Sequence, residues 1–175
     1  DGSNLSGIAG GLQEIDLWTI TADSTNTNWD DGDNDVLGGG SFGVNIARCT
    51  TTQNAVFAKQ GTGMSYSSGV FTFPSTGTYE VLANLFYRTS ETGNKFMHLF
   101  MQLTVNNSSY AKIYKAMQMS NWNDPHPIIL GPVQLTITDT ANQKIRFTAK
   151  NDSNQMYFNG ASDMVESSFS FKKLA

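Results

Sequence analysis

The sequence predicts an all-β, antiparallel sandwich, and three observations carry that reading. Short runs of β-branched and aromatic residues alternate at period two. Turn clusters rich in Gly, Asn, Ser and Pro separate them at sandwich-like spacing. No stretch of convincing length follows a helical period, and no segment repeats another. Asn, Ser, Thr and Gly occupy the places that Lys and Glu hold on many surfaces, which suits sheets with polar loops more than helices.

The stretch Gly63 to Arg88 is the centre of the pattern. Val70 to Phe73 is a short strand, Pro74-Ser75-Thr76-Gly77 a turn cluster, and Thr78 to Arg88 a run long enough to cross a sheet; the two runs are expected to pair as a hairpin. In the second run Tyr79, Val81, Ala83, Leu85 and Tyr87 share one face, and Glu80, Leu82, Asn84, Phe86 and Arg88 the other. Leu82 and Phe86 are too apolar for water. A neighbouring subunit is expected to cover them, each burial contributing about 1.5 to 3 kcal/mol.

In chain order, Ile15 to Ile20 reads as the first strand, followed by a polar loop from Ala22 to Gly40. Val44 to Arg48 and Ala55 to Lys59 are short strand candidates. Phe96 to Val105 is the strongest strand, with Met97, Leu99, Met101, Leu103 and Val105 on one face and Phe96, His98, Phe100, Gln102 and Thr104 on the other. Asn106 to Ser109 is a turn, and Tyr110 to Met117 resumes strand pattern. Asn121 to Pro127 is expected to project as a loop, being too Pro-rich for a sheet. Val133 to Thr138 and Ile145 to Ala149 read as a second hairpin, Met156 to Phe158 as a short edge strand, and Ser168 to Leu174 as the closing strand.

The hairpin also carries a resemblance. A polar turn ending in Ser67-Ser68-Gly69, then Phe71-x-Phe73-Pro74, then Gly77-Thr78-Tyr79 and an alternating strand, resembles the complement globular-head and tumour necrosis factor (TNF) superfamily. Outside it, Leu99 to Asn107, Val133 to Phe147 and Ser168-Phe169-Ser170-Phe171 resemble later strands of that family, so the likeness spans roughly Ile15 to Leu174. It implies a trimeric jelly roll. Asp1 to Gly7 and the phrase from Gly61 to Gly77 further resemble bacteriophage fibre and appendage proteins that end in such a head. Phe73 stands where many animal members carry a cysteine.

At 175 residues the chain makes one domain, with Gly2, Gly7, Gly10 and Gly11 marking residues 1–12 as a flexible lead-in and 13–175 as the jelly roll. One cysteine, Cys49, excludes an internal disulfide and reads as a small buried hydrophobe. Lys plus Arg number 11 and Asp plus Glu 15, a net charge of −4 with no basic run longer than Lys172-Lys173, which disfavours nucleic acid. No apolar run has the length of a membrane span.

Catalytic groups are sparse. His98 lies mid-strand between phenylalanines and His126 between two prolines, so neither suggests a triad, and two histidines with one cysteine lack zinc-site spacing. No cofactor is expected. Asp31, Asp33 and Asp35 have the alternate spacing of a calcium loop, but Val36 stands where the turn needs Gly and Phe42 where a bidentate Glu belongs. A solvated turn is the preferred reading.

What remains is a binding surface. Trp122 with Asn121 and Asn123, Trp29 beside the acidic cluster, and Tyr157 between Asn154 and Asn159 set rigid rings among polar groups, as sugar and protein partners require. Phe86, Phe96, His98 and Phe100 are the candidates for a threefold axis. The resemblance and the thin catalytic inventory imply a non-enzymatic, homotrimeric virion structural protein of a bacteriophage: a fibre head, receptor-binding or capsid decoration protein on the particle surface. Its expected partners are other virion proteins, through the lead-in, and a host cell-surface glycan or receptor. The alternative is a secreted ligand-binding head of a cellular organism, carbohydrate being one such ligand; a jelly-roll carbohydrate-active enzyme ranks third.

Overall fold

A computed structural model describes residues 14–24, 35–39, 43–50, 59–90, 94–121, 124–151 and 156–174. The lead-in 1–12, Trp29, Asp31, Asp33, Trp122 and Asn123 lie outside them, as does 51–58, which holds most of the Ala55 to Lys59 candidate. The described elements are all strands, in two antiparallel sheets.

The first sheet has the order β10 (His126–Ile137), β7 (Gly77–Thr89), β13 (Ser168–Lys173), β1 (Glu14–Ile20), β3 (Ile46–Arg48), with β12 (Met156–Phe158) beside β7 and β4 (Lys59–Gln60) beside β1. The second runs β5 (Ser65–Ser67), β6 (Val70–Thr72), β11 (Lys144–Asn151), β8 (Asn94–Thr104), β9 (Tyr110–Asn121), with β2 (Asp35–Val36) beside β11. Asp35 and Val36 thus form a short strand where a continuous polar loop was expected. Ser65–Ser67, read as part of a turn, is also a strand.

The alternation in β7 is realised as expected: Tyr79, Val81, Ala83, Leu85 and Tyr87 are fully buried between the sheets, and the alternate set faces outward. Facing them across the layer are Met97, Leu99 and Met101 of β8, Phe71 of β6 and Ile145 and Phe147 of β11. β13 adds Phe169 and Phe171, leaving Ser168 and Ser170 outside. Val105, assigned to the apolar face of β8, lies past the strand end and is 65% exposed.

Both long-range hairpin expectations are corrected. β6 pairs with β5 and β11, whereas β7 pairs with β10, β12 and β13 in the other sheet. The turn at Pro74 to Thr76 is a corner that carries the chain across the sandwich. Tyr79 locks it, its hydroxyl donating to Ser75 O at 3.0 Å while its ring packs 4.7 Å from Phe73. Likewise β10 and β11 sit in opposite sheets. The turn between them is held by Gln143 Oε1, which accepts from the backbone of Thr138 and Asp139 at 2.6 and 2.8 Å. Turn chemistry is the same for a hairpin and a corner; only the destination of the next strand differs.

His126 and Pro127, assigned to a projecting loop, begin β10. Pro127 is tolerated because β10 is an edge strand, bonded to β7 alone, so a missing N–H can face away from the ladder. Farther along, the register slips between Leu130 and Val133. Gly131, at φ +110°, is needed there because a Cβ would lie 2.6 Å from Val81 O.

Cys49 is 1% exposed, as its composition suggested. Burial, with a smaller contribution from the Asp16 carboxylate, pushes its thiol up from 9.0 to about 11, and burial pushes Tyr66 up from 10.0 to about 12. The folded state therefore holds these protons more tightly than the unfolded chain. Their stabilisation is complete below about pH 9 and is lost as pH rises through about 11 and 12, by up to ~1.4 kcal/mol per pH unit for each group. Denaturant midpoints should fall between pH 9 and 11, and Cys49→Ala should flatten that decline.

Candidate functional site

One of the aromatic-polar features, Tyr157, stands at one end of the sandwich, and the segments that contain Trp122 and Trp29 begin from described residues there. β7 finishes at Thr89, where β12 pairs beside it and brings Tyr157 opposite Arg88; β10 starts on its other side with His126 opposite Tyr87. The connection containing Trp122 joins Asn121, which ends β9, to this start of β10. The segment containing Trp29 leaves Ser24, also at this end, where Ser24 N donates to Phe158 O at 3.0 Å and Ser24 Oγ accepts from Phe158 N at 3.0 Å.

The end is rigid because its polar groups bind one another. Arg88 Nη2 donates to Asp23 Oδ2 at 2.6 Å, and the guanidinium lies 4.5 Å from the centre of the Tyr157 ring. Asp23 Oδ1 accepts from Gly160 N at 3.0 Å. Ser167 Oγ donates to Asn159 O at 2.6 Å and accepts from Phe86 N at 2.9 Å. Tyr87 donates to Gln118 O at 2.7 Å, tying the first sheet to β9 of the second. Asp23 occupies Arg88, and Arg88 covers Tyr157, so this ring is held in place at the end of β7. Three buried atoms, His126 Nε2, Arg88 Nε and Asn159 Oδ1, have no hydrogen-bond partner.

Among the described residues no three of His, Cys, Asp and Glu gather as metal ligands would. Asp35, the third member of the calcium-loop spacing, is placed by its backbone in β2 opposite Ala149, while Asp31 and Asp33 are outside the described residues. The sequence singled out Tyr157 but missed Arg88 and Asp23, which are 65 positions apart and carry no local motif.

The expected axis set is divided. Phe86 projects from the outer face of the first sheet, whereas Phe96, His98 and Phe100 project from the outer face of the second. No single sheet face therefore presents all four. Phe100 is also only 5% exposed within a single chain, because the amines of Lys112 and Lys115 lie 4.7 and 5.6 Å from its ring centre. Long lysine stems cover apolar surface while their heads stay wet, so this ring needs no subunit to hide it.

No known family profile matches the sequence, and neither does any curated protein. Solved structures do match in fold. Eiger TNF from S. frugiperda superposes with TM-score 0.56 at 13% identity, over 92% of this chain and 93% of that one. Murine APRIL at pH 5.0 gives TM-score 0.59 at 10% identity, over 92% and 98%, and its structure at pH 8.5 gives 0.57 over the same shares. The chain therefore has the TNF-like jelly-roll fold.

Proposed function

We propose that this chain is a non-enzymatic binding head, a homotrimer displayed on a virion as a bacteriophage fibre head, receptor-binding or capsid decoration protein. The observation that carries the assembly is the outer face of the first sheet. Leu82 and Phe86 on β7 stand beside Pro127 and Ile129 on β10, Ile129 being 56% exposed, and next to the small Ser168 and Ser170 of β13 and then Leu17 of β1. On this face charge stands at the two ends of β7, as the Lys172–Glu80 pair at 2.9 Å and the Arg88–Asp23 pair at 2.6 Å, with Leu82, Asn84 and Phe86 between them. Flat small residues with projecting apolar ones suit close packing against another copy. A closed ring covers such a patch without leaving an open edge.

Phe86→Asp is expected to dissociate the assembly, since burying an unpaired carboxylate there costs several kcal/mol, about 3 or more. Phe100→Asp, on the opposite face and beneath two lysines, should leave it assembled. Light scattering on both variants distinguishes them, and the reverse pattern would move the axis to the second sheet.

The virion setting is supported by the fibre-like phrases Asp1 to Gly7 and Gly61 to Gly77. In that setting residues 1–12 join the head to other virion proteins, and the loop end faces a host glycan or receptor. Trp122→Ala should then weaken attachment to cells while leaving the melting temperature within about 2 °C. Loss of solubility or of assembly would make Trp122 a structural lid. A second reading, a ligand-binding head of a cellular organism, is favoured by the likeness to the insect and murine chains. Antibodies to this chain that decorate purified phage particles would exclude that reading; particles left bare would exclude the first.

A further inference from the structure

We propose that strand β9 builds an anion-binding site on the outer face of the second sheet, with Lys112 and Lys115 converging over Phe100 to take the carboxylate or sulfate groups of an acidic polysaccharide. In a regular strand, residues three apart point to opposite faces. Here the ladder slips: Met101 pairs with Tyr114 but Gln102 with Lys112, leaving Ile113 as the extra residue of a bulge. That single insertion brings both lysines to one face, and bulges commonly re-aim side chains in this way beside functional sites.

The two amines, Phe100, Ile113 and Tyr114 border an open depression of about 330 Å³. Tyr114 is 48% and Ile113 37% exposed, so the depression offers two cations beside apolar surface, the pairing that an acidic sugar presents in complement.

Beyond the depression, Lys144, Arg146 and Lys150 of β11 project from the same face, opposite Thr104, Gln102 and His98. The strands β5, β6, β8, β9 and β11 contain no Asp or Glu, although the whole chain carries a net charge of −4. Cations spread along a flat face match a polymer with repeated anionic groups better than a single ion. Nucleic acid fits less well. Its bases need a row of open rings, and here Phe100 lies under the lysines and Arg146 stacks 4.0 Å from the Tyr110 ring, which leaves the partly exposed Tyr114 and Phe96. The site lies away from both the loop end and the Phe86 face, so the proposal does not rest on the trimer or on the virion setting.

The test uses the full chain with polygalacturonate and dextran sulfate as carboxylated and sulfated probes, and neutral dextran as control, in titration calorimetry near physiological salt. Binding to at least one charged polymer, none to dextran, and weakening as salt rises are expected. Lys112→Gln/Lys115→Gln should lower affinity about tenfold or more, while Lys172→Gln/Lys173→Gln, which removes the same charge from the first sheet, should stay within about twofold. Equal losses in the two variants would reduce the effect to net charge and overturn the site. So would failure to bind either polymer, binding of inorganic sulfate as tight as that of the polymers, or equally tight binding of polyglutamate, which would point to an acidic protein instead.

Discussion

Phe71→Ala is expected to lower the stability of the fold by about 4 to 5 kcal/mol, at the upper end of large-to-small core changes. Phe71 is fully buried, and its ring centre lies 4.8 Å from those of Tyr66 and Phe171, 5.4 Å from Trp18, 5.8 Å from Phe169 and 6.1 Å from Phe147. Those five rings come from β1, β5, β11 and β13, so one side chain bridges both sheets. Removing it forfeits transfer energy and several edge or tilted ring contacts at once, and neighbours fixed on four strands cannot collapse into the space. Phe71→Leu, which fills much of the volume, should cost less than half as much. Urea midpoints of the two variants measure the difference; a loss below about 2 kcal/mol for Phe71→Ala would show that the cluster relaxes freely.

Asp16→Ala should cost about 3 kcal/mol, through charge rather than volume. Asp16 lies on the inward face of β1 with Trp18 and Ile20 and is 1% exposed. Its oxygens accept from Arg48 Nε and Nη2 at 2.8 and 3.0 Å and from Met64 N at 2.7 Å, and the guanidinium covers Trp18 at 4.5 Å. Gly63 makes this approach feasible. It sits at φ +73°, where a Cβ would be 2.8 Å from Asp16 Oδ2, and its own N–H donates to Glu14 Oε2 at 2.8 Å. Without the carboxylate, Met64 N loses its acceptor and Arg48 keeps a half-buried charge. Asp16→Leu/Arg48→Met removes both charges and should recover most of the loss in chemical denaturation. If the double variant is as unstable as the single, packing around Asp16 rather than its charge holds this corner.

The contrast between these two sites shows what the chain reveals before it folds. Phe71, Tyr79 and Phe169 announce themselves by alternation, because a sheet with one buried face imposes period two on its residues. The longer strands were therefore legible, whereas the short strands Asp35–Val36 and Ser65–Ser67, with too few residues to show a period, were not. Strand partnership was not: Pro74 to Gly77 and Asp139 to Gln143 have hairpin composition but turn the chain across the sandwich, and nothing local encodes which sheet comes next. Nothing beside Asp16 in the chain announces its buried ion pair, since its partner Arg48 is 32 positions away.

The site residues followed the same rule. Tyr157, Trp122 and Trp29 were visible as rings in polar company, while Arg88 and Asp23, which hold Tyr157, became apparent only when β7 and β12 paired. Phe100 was read as an axis residue because its lysine cover depends on the bulge at Ile113, and the sequence Lys112-Ile113-Tyr114-Lys115 gives no sign of a slipped register. Phe86 kept its outward position because β7 runs without a bulge from Gly77 to Thr89 alongside β13 and β12.

The proposal that three copies close over the Phe86 face is tested most directly by the mass of the wild-type chain in solution. Light scattering at micromolar concentration should give three times the mass of one chain, unchanged on dilution through that range. A mass equal to a single chain would contradict it.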